Sequence, residues 1–162
     1  MSYIEELKNK NTLIIGGGTT GKSLANYLDT LGTKYVIFDE KSDSTQGLEI
    51  LTEISDFGVY DLAIVSPGWR LDHLVIQNLQ ASGVEVISEL DFAWTLKSEI
   101  NPDQTWLAVT GTNGKTTTIQ MLESILVAAG VSGIACGNVG TTAVEAVTSS
   151  KRFDVLALEL SS

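Results

Sequence analysis

Four short apolar runs constrain the fold of the first hundred residues more than any other feature of the sequence. The runs TLII, YVIF, DLAIVS and VEVIS are rich in β-branched and other apolar side chains. Continuous apolar runs of this length are typical of strands that are buried on both faces. Helical patterns near residues 22–31 and 71–81 join two pairs of these runs. The sequence therefore predicts an α/β domain in which helices cover a parallel sheet.

A second α/β unit is predicted after Asn101, Pro102 and Asp103. The chain continues with the run WLAVT, a glycine-rich turn, a helix over 115–129, the strand GIAC, a helix over 142–147 and the strand FDVLALEL. We therefore place the first domain at residues 1–100 and the second at residues 101–162. Because a three-stranded doubly wound domain that ends on a strand has an open edge, we expect the second domain to be truncated in this chain.

The segment SELDFAWTLKSEI at 88–100 predicts a helix that closes the first domain and leads into the linker. We expect Phe92, Trp94 and Leu96 to be partly buried packing residues of this helix. Some acidic residues of the first domain lie at the start or end of predicted elements. We therefore interpret four of them as solvated charges: Asp61, Asp72, Glu85 and Glu89.

Composition excludes several classes of protein. Twenty acidic residues against ten basic ones give a net charge of −10, which argues against non-specific binding to nucleic acid or to an anionic membrane. The single cysteine, Cys136, excludes an intrachain disulfide. The N-terminal MSYIEELKNK has neither the apolar stretch of a signal peptide nor a transmembrane length. We therefore expect a cytoplasmic protein.

A glycine-rich turn follows the first predicted strand. Gly16–Gly21 satisfies G-x-G-x-x-G between a strand and a helix, and Asp39 ends the next strand. Glycines let the backbone approach a diphosphate at a helix N-terminus, and the acidic residue can accept hydrogen bonds from a ribose or a base. This pattern predicts a Rossmann-like domain. Two other interpretations stay open: a tight turn without a ligand, and binding of NAD. His73, the only histidine, we interpret as a solvated first-turn residue.

A further turn lies at the carboxyl end of the run DLAIVS. Ser66, Pro67 and Gly68 follow the strand at the edge where open α/β sheets bind their ligands. An ordinary Pro-Gly turn explains the same residues equally well.

The most specific motif is the loop that follows WLAVT. The sequence T-G-T-N-G-K-T-T ends in Gly-Lys-Thr, lies between a buried strand and a helix, and is typical of a P-loop-type phosphate site. Successive N–H groups would surround the phosphates, Lys115 would supply a positive charge, and the Thr116 hydroxyl would bind Mg²⁺. Val109 stands where the usual G-x-x-x-x-G-K-[ST] pattern has its first glycine. The predicted ATP-binding residues are Gly111, Thr112, Asn113, Gly114, Lys115, Thr116, Thr117 and Thr118.

Two polar residues follow the other strands of the second unit. Glu159 ends the run VLAL, where a carboxylate can hold Mg²⁺ directly or through water, unless it merely faces solvent. Asn138, between two glycines after the strand GIAC, is either a turn residue or a donor that faces a ligand.

Together these motifs resemble those of the Mur ligases, whose ATP loop reads T-G-T-N-G-K-[ST]-T. The resemblance covers essentially the whole chain. The phosphate loop alone would also admit other Mur-type ligases and folylpolyglutamate synthase. The Rossmann-like front with Asp39, the S-P-G turn, the ISELDF segment, G-N-V-G and L-E-L-S-S favour the D-glutamate-adding branch. Asn113 stands where the alanine-adding branch has histidine.

The resemblance implies an ATP- and Mg²⁺-dependent enzyme that joins D-glutamate to UDP-N-acetylmuramoyl-L-alanine through an acyl phosphate. It implies that Lys115, Thr116 and Glu159 are catalytic and that Thr116 and Glu159 hold Mg²⁺. It further implies that the UDP-substrate contacts are Gly18, Thr19, Thr20, Asp39, Ser66, Pro67, Gly68 and Asn138. We expect the protein to be a monomer. Glu40, an unpromising anion binder, follows Asp39.

Three functions therefore remain to be distinguished. The first is the amide ligase, of which this chain alone would be inactive because the later catalytic groups and the D-glutamate site of the family lie further along. The second is an NAD-dependent oxidoreductase built on the first domain. The third is a P-loop binding or regulatory module.

Overall fold

The computed structural model describes residues 2–41, 50–138 and 140–161. The chain divides into two compact units, Met1–Phe92 and Ala93–Ser162. The boundary between them lies within a helix that runs from Glu89 to Ile100. The domain boundary after residue 100 stays a prediction.

The first unit is a parallel α/β sheet. Its elements are α1 (Tyr3–Leu7), β1 (Thr12–Ile15), α2 (Thr19–Leu31), β2 (Tyr35–Phe38), β3 (Ile50–Leu51), β4 (Leu62–Val65), α3 (Leu74–Ala81), β5 (Glu85–Ser88) and the start of α4 (Glu89–Ile100). In the described part of the chain the strands lie in the order β3-β2-β1-β4-β5, and every pair is parallel. This is the strand order of a Rossmann-like fold.

Strands β1 and β4 form the buried centre of this sheet. Leu13 and Ile15 pack on the face that carries Ile76 and Leu79 of α3. The intervening Ile14 lies on the opposite face, next to Gly21 of α2. Because successive residues of a strand point to opposite faces, both faces need apolar side chains, which explains the continuous run TLII.

The second unit is also a parallel α/β sheet, with fewer strands. It contains the end of α4, then β6 (Thr105–Val109), α5 (Lys115–Ala128), β7 (Gly133–Gly137), α6 (Ala143–Thr148) and β8 (Val155–Glu159). Within the described residues its three strands are parallel in the order β6-β8-β7. The last strand in sequence is therefore the middle strand of the sheet, and its side chains Leu156, Ala157 and Leu158 are buried. The predicted α/β class with parallel sheets is confirmed.

Several local predictions needed correction. Helix α2 begins at Thr19, three residues earlier than predicted, whereas α3 begins at Leu74, three residues later. The sequence pattern missed α1 and β3 because both are very short. Of the helix residues expected to be partly buried, Phe92 and Leu96 are fully buried. Trp94 is 51 % exposed and rests edge-on against Trp106, so its burial was overestimated.

The interpretation of four acidic residues as solvated holds for three of them. Asp61, Asp72 and Glu85 are exposed, and the last two form ion pairs with Arg70 and Lys10. Glu89 is only 3 % exposed, so the interpretation was wrong there. This residue begins α4, where the positive end of the helix dipole favours a carboxylate.

Among the described residues, the helices are all too short or too polar to cross a membrane.

Candidate functional site

The first sheet contains a topological switch point between β1 and β4. The chain leaves β1 towards α2 on one face of the sheet and leaves β4 towards α3 on the other. Diverging connections of this kind open a crevice at the carboxyl ends of the strands, where α/β folds bind ligands. Gly16, the first residue of the glycine-rich turn, and the predicted site residues Asp39 and Ser66 directly follow the adjacent strands β1, β2 and β4. The fold therefore brings them side by side at this crevice.

Two glycines of the turn are required by the protein's own packing. Gly16 has a φ of +103°, and a β-carbon there would lie 2.8 Å from Trp69 Nε1 and 2.9 Å from Ser66 Oγ. A β-carbon on Gly21 would overlap the carbonyl oxygen of Gly16 at 1.9 Å. Gly21 is the third glycine of the motif, and a glycine is needed at that place because the helix packs closely against the strand.

Gly18 has no such internal requirement. It is the N-cap of α2, has an ordinary φ of −73°, and offers no side chain to cap the helix. A β-carbon on it would meet no atom of the described residues within 4 Å. The first turn of α2, which contains Thr19 and Thr20, therefore presents its N-terminus to open space, as binding of an anionic ligand requires.

Asp39 anchors the glycine-rich turn. Its Oδ2 accepts a hydrogen bond from the Gly17 N–H at 2.8 Å, and its Oδ1 accepts one from the Lys41 N–H at 3.0 Å. The carboxylate therefore fixes the connection after β1 to the connection after β2. A carboxylate has about four acceptor positions, so capacity remains for a ligand hydroxyl or N–H group.

Ser66 carries a buried hydroxyl without a hydrogen-bond partner. The residue is 9 % exposed, and no described residue bonds its Oγ. The turn that follows, Pro67-Gly68, is closed by the Trp69 N–H, which donates to the Ser66 carbonyl at 3.1 Å. A buried unpaired hydroxyl costs about 1–3 kcal/mol, so a ligand oxygen or N–H group at this point would be favourable.

His73 and Trp69 belong to the same edge of the sheet, which the sequence did not indicate. His73 is half-buried and caps α3: its Nδ1 accepts a hydrogen bond from the Val75 N–H at 3.3 Å. Its Nε2 lies 3.2 Å from Glu40 Oε1, and its ring packs against Trp69 at 4.8 Å between centroids. The interpretation of His73 as a merely solvated residue was therefore wrong.

The predicted residues of the second unit also meet at one edge of their sheet. Glu159 ends the middle strand β8, in register with Val109 at the end of β6 and Gly137 at the end of β7. The phosphate loop follows β6, and Asn138 follows β7. Glu159 is only 5 % exposed, so its carboxylate is held at the base of this edge.

The phosphate loop is shaped by two glycines with positive φ. Gly111 and Gly114 have φ values of +143° and +78°, and a β-carbon on either would meet nothing within 4 Å in the described part of the chain. Gly114 is the N-cap of α5 and supplies no capping side chain. The loop residues Thr112 and Asn113 and the first-turn residues Thr117 and Thr118 are exposed. The helix N-terminus is thus open to an anion, and the donor chemistry fits a nucleotide phosphate.

Two side chains of the loop bond to the protein itself. Lys115 Nζ donates to the Gly111 carbonyl at 2.5 Å, which closes the loop on itself. The Thr118 hydroxyl donates to the Gly114 carbonyl at 2.8 Å. Lys115 therefore lies inside the loop that the sequence assigned to the phosphates.

Thr116 and Glu159 are in direct contact. The Thr116 hydroxyl donates a hydrogen bond to Glu159 Oε2 at 2.7 Å. Among the described residues, no three His, Cys, Asp or Glu side chains cluster as a metal site. Mg²⁺ does not need such a cluster, because it keeps several waters and uses one or two carboxylates together with substrate phosphates. The hydroxyl and carboxylate oxygens of this pair therefore fit Mg²⁺.

Asn138 is placed at this edge by the glycine before it. Gly137 has a φ of +114°, and a β-carbon there would collide with the Glu159 carbonyl. The Asn138 N–H donates to that carbonyl at 3.1 Å, and its side chain is exposed. Its assignment to the substrate stays a prediction.

Both units match models of known protein families. Residues 10–88 match the N-terminal domain of MurD-like Mur ligases, and residues 109–162 match the Mur ligase middle domain. The chain belongs to the Mur ligase family. The predicted resemblance is therefore confirmed, and the two site-bearing edges fall within the two matched domains of this Mur ligase.

Relatives of this Mur ligase chain include enzymes that add D-glutamate. It is 38 % identical to the UDP-N-acetylmuramoylalanine--D-glutamate ligase of Nocardia farcinica, over 98 % of this chain and 35 % of that protein. The protein of the same name from Corynebacterium efficiens is 37 % identical, over 100 % of this chain and 36 % of its own length. The chain thus spans about a third of the length of the curated relatives it matches.

A solved structure of another Mur-type ligase supports the fold. The UDP-N-acetylmuramate:L-alanyl-gamma-D-glutamyl-meso-diaminopimelate ligase from Neisseria meningitides matches with a TM-score of 0.55. The match covers 93 % of this chain and 52 % of that chain at 24 % identity.

Proposed function

We propose that the protein to which this chain belongs is an ATP-dependent ligase that adds D-glutamate to UDP-N-acetylmuramoyl-L-alanine in the cytoplasm. The observation that carries the use of ATP is the 2.7 Å contact between Thr116 and Glu159 beside the phosphate loop, and the ligase class rests on the two matched Mur ligase domains. This contact places a hydroxyl and a carboxylate, which fit Mg²⁺, next to a loop that fits nucleotide phosphates. The choice of D-glutamate rests on the names of relatives that match 98 % and 100 % of this chain.

The residues of the second unit would bind and orient ATP. Thr116 and Glu159 would hold Mg²⁺, and the N–H groups at the start of α5 would bind phosphate oxygens. Lys115 would exchange its bond to the Gly111 carbonyl for a phosphate oxygen and place its positive charge there. ATP, when bound, would supply the phosphoryl group that converts the alanyl carboxylate into an acyl phosphate, with ADP as the leaving group. The amine of D-glutamate would then attack the acyl carbon and release phosphate to form the amide bond.

The residues of the first unit would bind the UDP part of the substrate. Gly18, Thr19 and Thr20 lie at the open N-terminus of α2, where a diphosphate is favoured. Asp39 keeps the turn in shape and has remaining acceptor positions for the uridine. The buried Ser66 hydroxyl would gain the hydrogen bond that it lacks among the described residues. We further propose that the protein is a monomer and that this chain alone makes no product.

A thermal-shift experiment on the 162-residue chain separates the three candidate functions. A ligand at about 100 times its Kd stabilises the folded state by ~2.7 kcal/mol. For a unit of about 60–100 residues this raises Tm by roughly 10 °C or more. We expect such a shift with UDP-N-acetylmuramoyl-L-alanine and with ATP plus Mg²⁺, but not with NADH. A shift with NADH and none with the UDP-substrate would favour the oxidoreductase instead, and a shift with ATP alone would favour a P-loop module.

Two variants assign each response to its site. Lys115→Ala should abolish the shift with ATP and Mg²⁺ and keep the shift with the UDP-substrate. Ser66→Ala should abolish the shift with the UDP-substrate and keep the shift with ATP and Mg²⁺. Because the Ser66 hydroxyl has no partner in the described structure, its removal should leave the ligand-free Tm unchanged or slightly raised. A Ser66→Ala variant that binds the UDP-substrate like the wild type would contradict the assignment of Ser66.

A further inference from the structure

We propose that Trp69 is a ligand-contacting residue of the crevice in the first unit. Its indole N–H would donate a hydrogen bond to a phosphate oxygen of a nucleoside diphosphate, and His73 and Glu40 would hold the indole in place. The inference rests on the proposed function of the first unit and adds three residues to that site.

The position of the Trp69 ring is the first reason. Trp69 follows β4, yet its ring packs on Phe38 at the end of β2, with 5.7 Å between ring centroids. Because β1 lies between these two strands, the indole extends across the carboxyl end of β1. A ring in this position borders the crevice on the α3 side, opposite the N-terminus of α2.

The orientation of the ring is the second reason. Among the described residues other than Gly16 and its two chain neighbours, the atom nearest to the position of a β-carbon on Gly16 is Trp69 Nε1, at 2.8 Å. The N–H edge of the indole therefore faces the glycine-rich turn, and its neighbour there is the Ser66 hydroxyl, 2.9 Å from the same point. Two polar groups thus converge beside the turn, and one of them is more than nine-tenths buried and lacks a partner among the described residues.

The support of the ring is the third reason. The His73 ring meets the indole edge-on at 4.8 Å, with an angle of 76° between the rings. The Nε2 atom of the same His73 ring lies 3.2 Å from Glu40 Oε1. Glu40 follows β2 and His73 follows β4, so this pair also joins the two sides of the crevice. Packing alone would need only an apolar ring, whereas Trp offers a rigid ring together with a donor.

The test is calorimetric titration of the 162-residue chain with UDP and with uridine. Trp69→Phe keeps an aromatic ring for packing but removes the N–H group. Because a hydrogen bond to a charged group is lost, UDP should bind about tenfold to a hundredfold more weakly. Uridine, which has no phosphate, should bind both proteins equally. The control is Trp94→Phe, which changes an exposed tryptophan outside this unit and should leave UDP affinity unchanged.

The positioning role of His73 is tested by a double-mutant cycle. His73→Asn keeps a side chain that can cap α3 but removes the ring contact. It should weaken UDP binding about threefold to tenfold in the wild type and add little in the Trp69→Phe background. An equal loss in both backgrounds would show that His73 does not act through Trp69.

A measurement without substitution at Trp69 covers the case in which Trp69→Phe does not fold. In the ¹⁵N-indole spectrum of the wild type, UDP should shift the Trp69 N–H resonance downfield and leave that of Trp94 unchanged. UDP binding with no shift at Trp69, or with equal affinity in Trp69→Phe, would overturn this inference alone. No binding of UDP to the wild type would overturn it together with the proposed function of the first unit.

Discussion

Replacement of Gly21 by alanine should destabilise the first unit by about 2 kcal/mol or more. A β-carbon at this position would lie 1.9 Å from the Gly16 carbonyl oxygen and 3.5 Å from Ile14 Cγ2. A carbon and a carbonyl oxygen normally stay about 3.3 Å apart. Helix α2 would therefore have to move away from β1 by more than about 1 Å. Such overpacking costs about 1–3 kcal/mol or more.

Part of that cost is offset, because alanine is about 1 kcal/mol better than glycine in a helix interior. The carbonyl oxygen belongs to the backbone of a turn fixed by Asp39, so it cannot rotate aside as a side chain could. We therefore expect an overpacking cost at the upper end of that range, about 3 kcal/mol or more, and a net loss of about 2 kcal/mol or more in the free energy of unfolding.

The assay is urea unfolding followed by tryptophan fluorescence. Because two units can unfold separately, the reporter must belong to the first one. Trp69 is the only tryptophan in that unit, so the variants are made in a Trp94→Phe, Trp106→Phe background. The matched control is Gly18→Ala in the same motif, whose β-carbon would meet no atom within 4 Å among the residues that the structure describes. It should cost less than about 1 kcal/mol yet weaken UDP binding. Equal stabilities of the two variants would refute the packing argument.

Two further predictions follow from single side chains. In the complete protein, Thr116→Val should weaken binding of ATP with Mg²⁺ about tenfold or more, whereas Thr116→Ser, which keeps the hydroxyl, should bind nearly normally; titration calorimetry measures both. The pKa of Tyr3 is raised to about 12, mainly by burial. Because this folded-state pKa lies above the usual 10, the neutral Tyr3 side chain contributes fully to the free energy of unfolding below pH 10. This contribution is lost as the pH rises towards 12. Tyr3→Phe should flatten this decline in urea unfolding, and an unchanged slope would count against burial of the Tyr3 hydroxyl.

The elements that could be predicted from the sequence are those whose signals are local. The phosphate loop is a continuous motif, and parallel pairing places the residues after each strand at one edge. This is why Thr116 and Glu159, 43 residues apart, could be expected to meet, as their hydrogen bond confirms. The crevice residues Gly16, Asp39 and Ser66 were predictable for the same reason.

The parts that could not be predicted depend on side-chain packing between distant segments. Nothing near Trp69 in the sequence indicates that its ring reaches Phe38, 31 positions earlier, or that His73 meets Glu40. The burial of Glu89 depends likewise on the packing around the start of α4. Lys115 was correctly placed in the loop, but a motif could not show that its Nζ bonds the Gly111 carbonyl.

The central claim is tested most directly by phosphate release from the complete protein. With ATP, Mg²⁺ and UDP-N-acetylmuramoyl-L-alanine present, phosphate release should depend on added D-glutamate. Lys115→Ala should lower this rate roughly 10²–10³-fold, because the positive charge that stabilises the transferred phosphoryl group is lost. The same variant should leave the Kd for the UDP-substrate unchanged. Phosphate release that does not respond to D-glutamate, or that is unaffected by Lys115→Ala, would contradict the account.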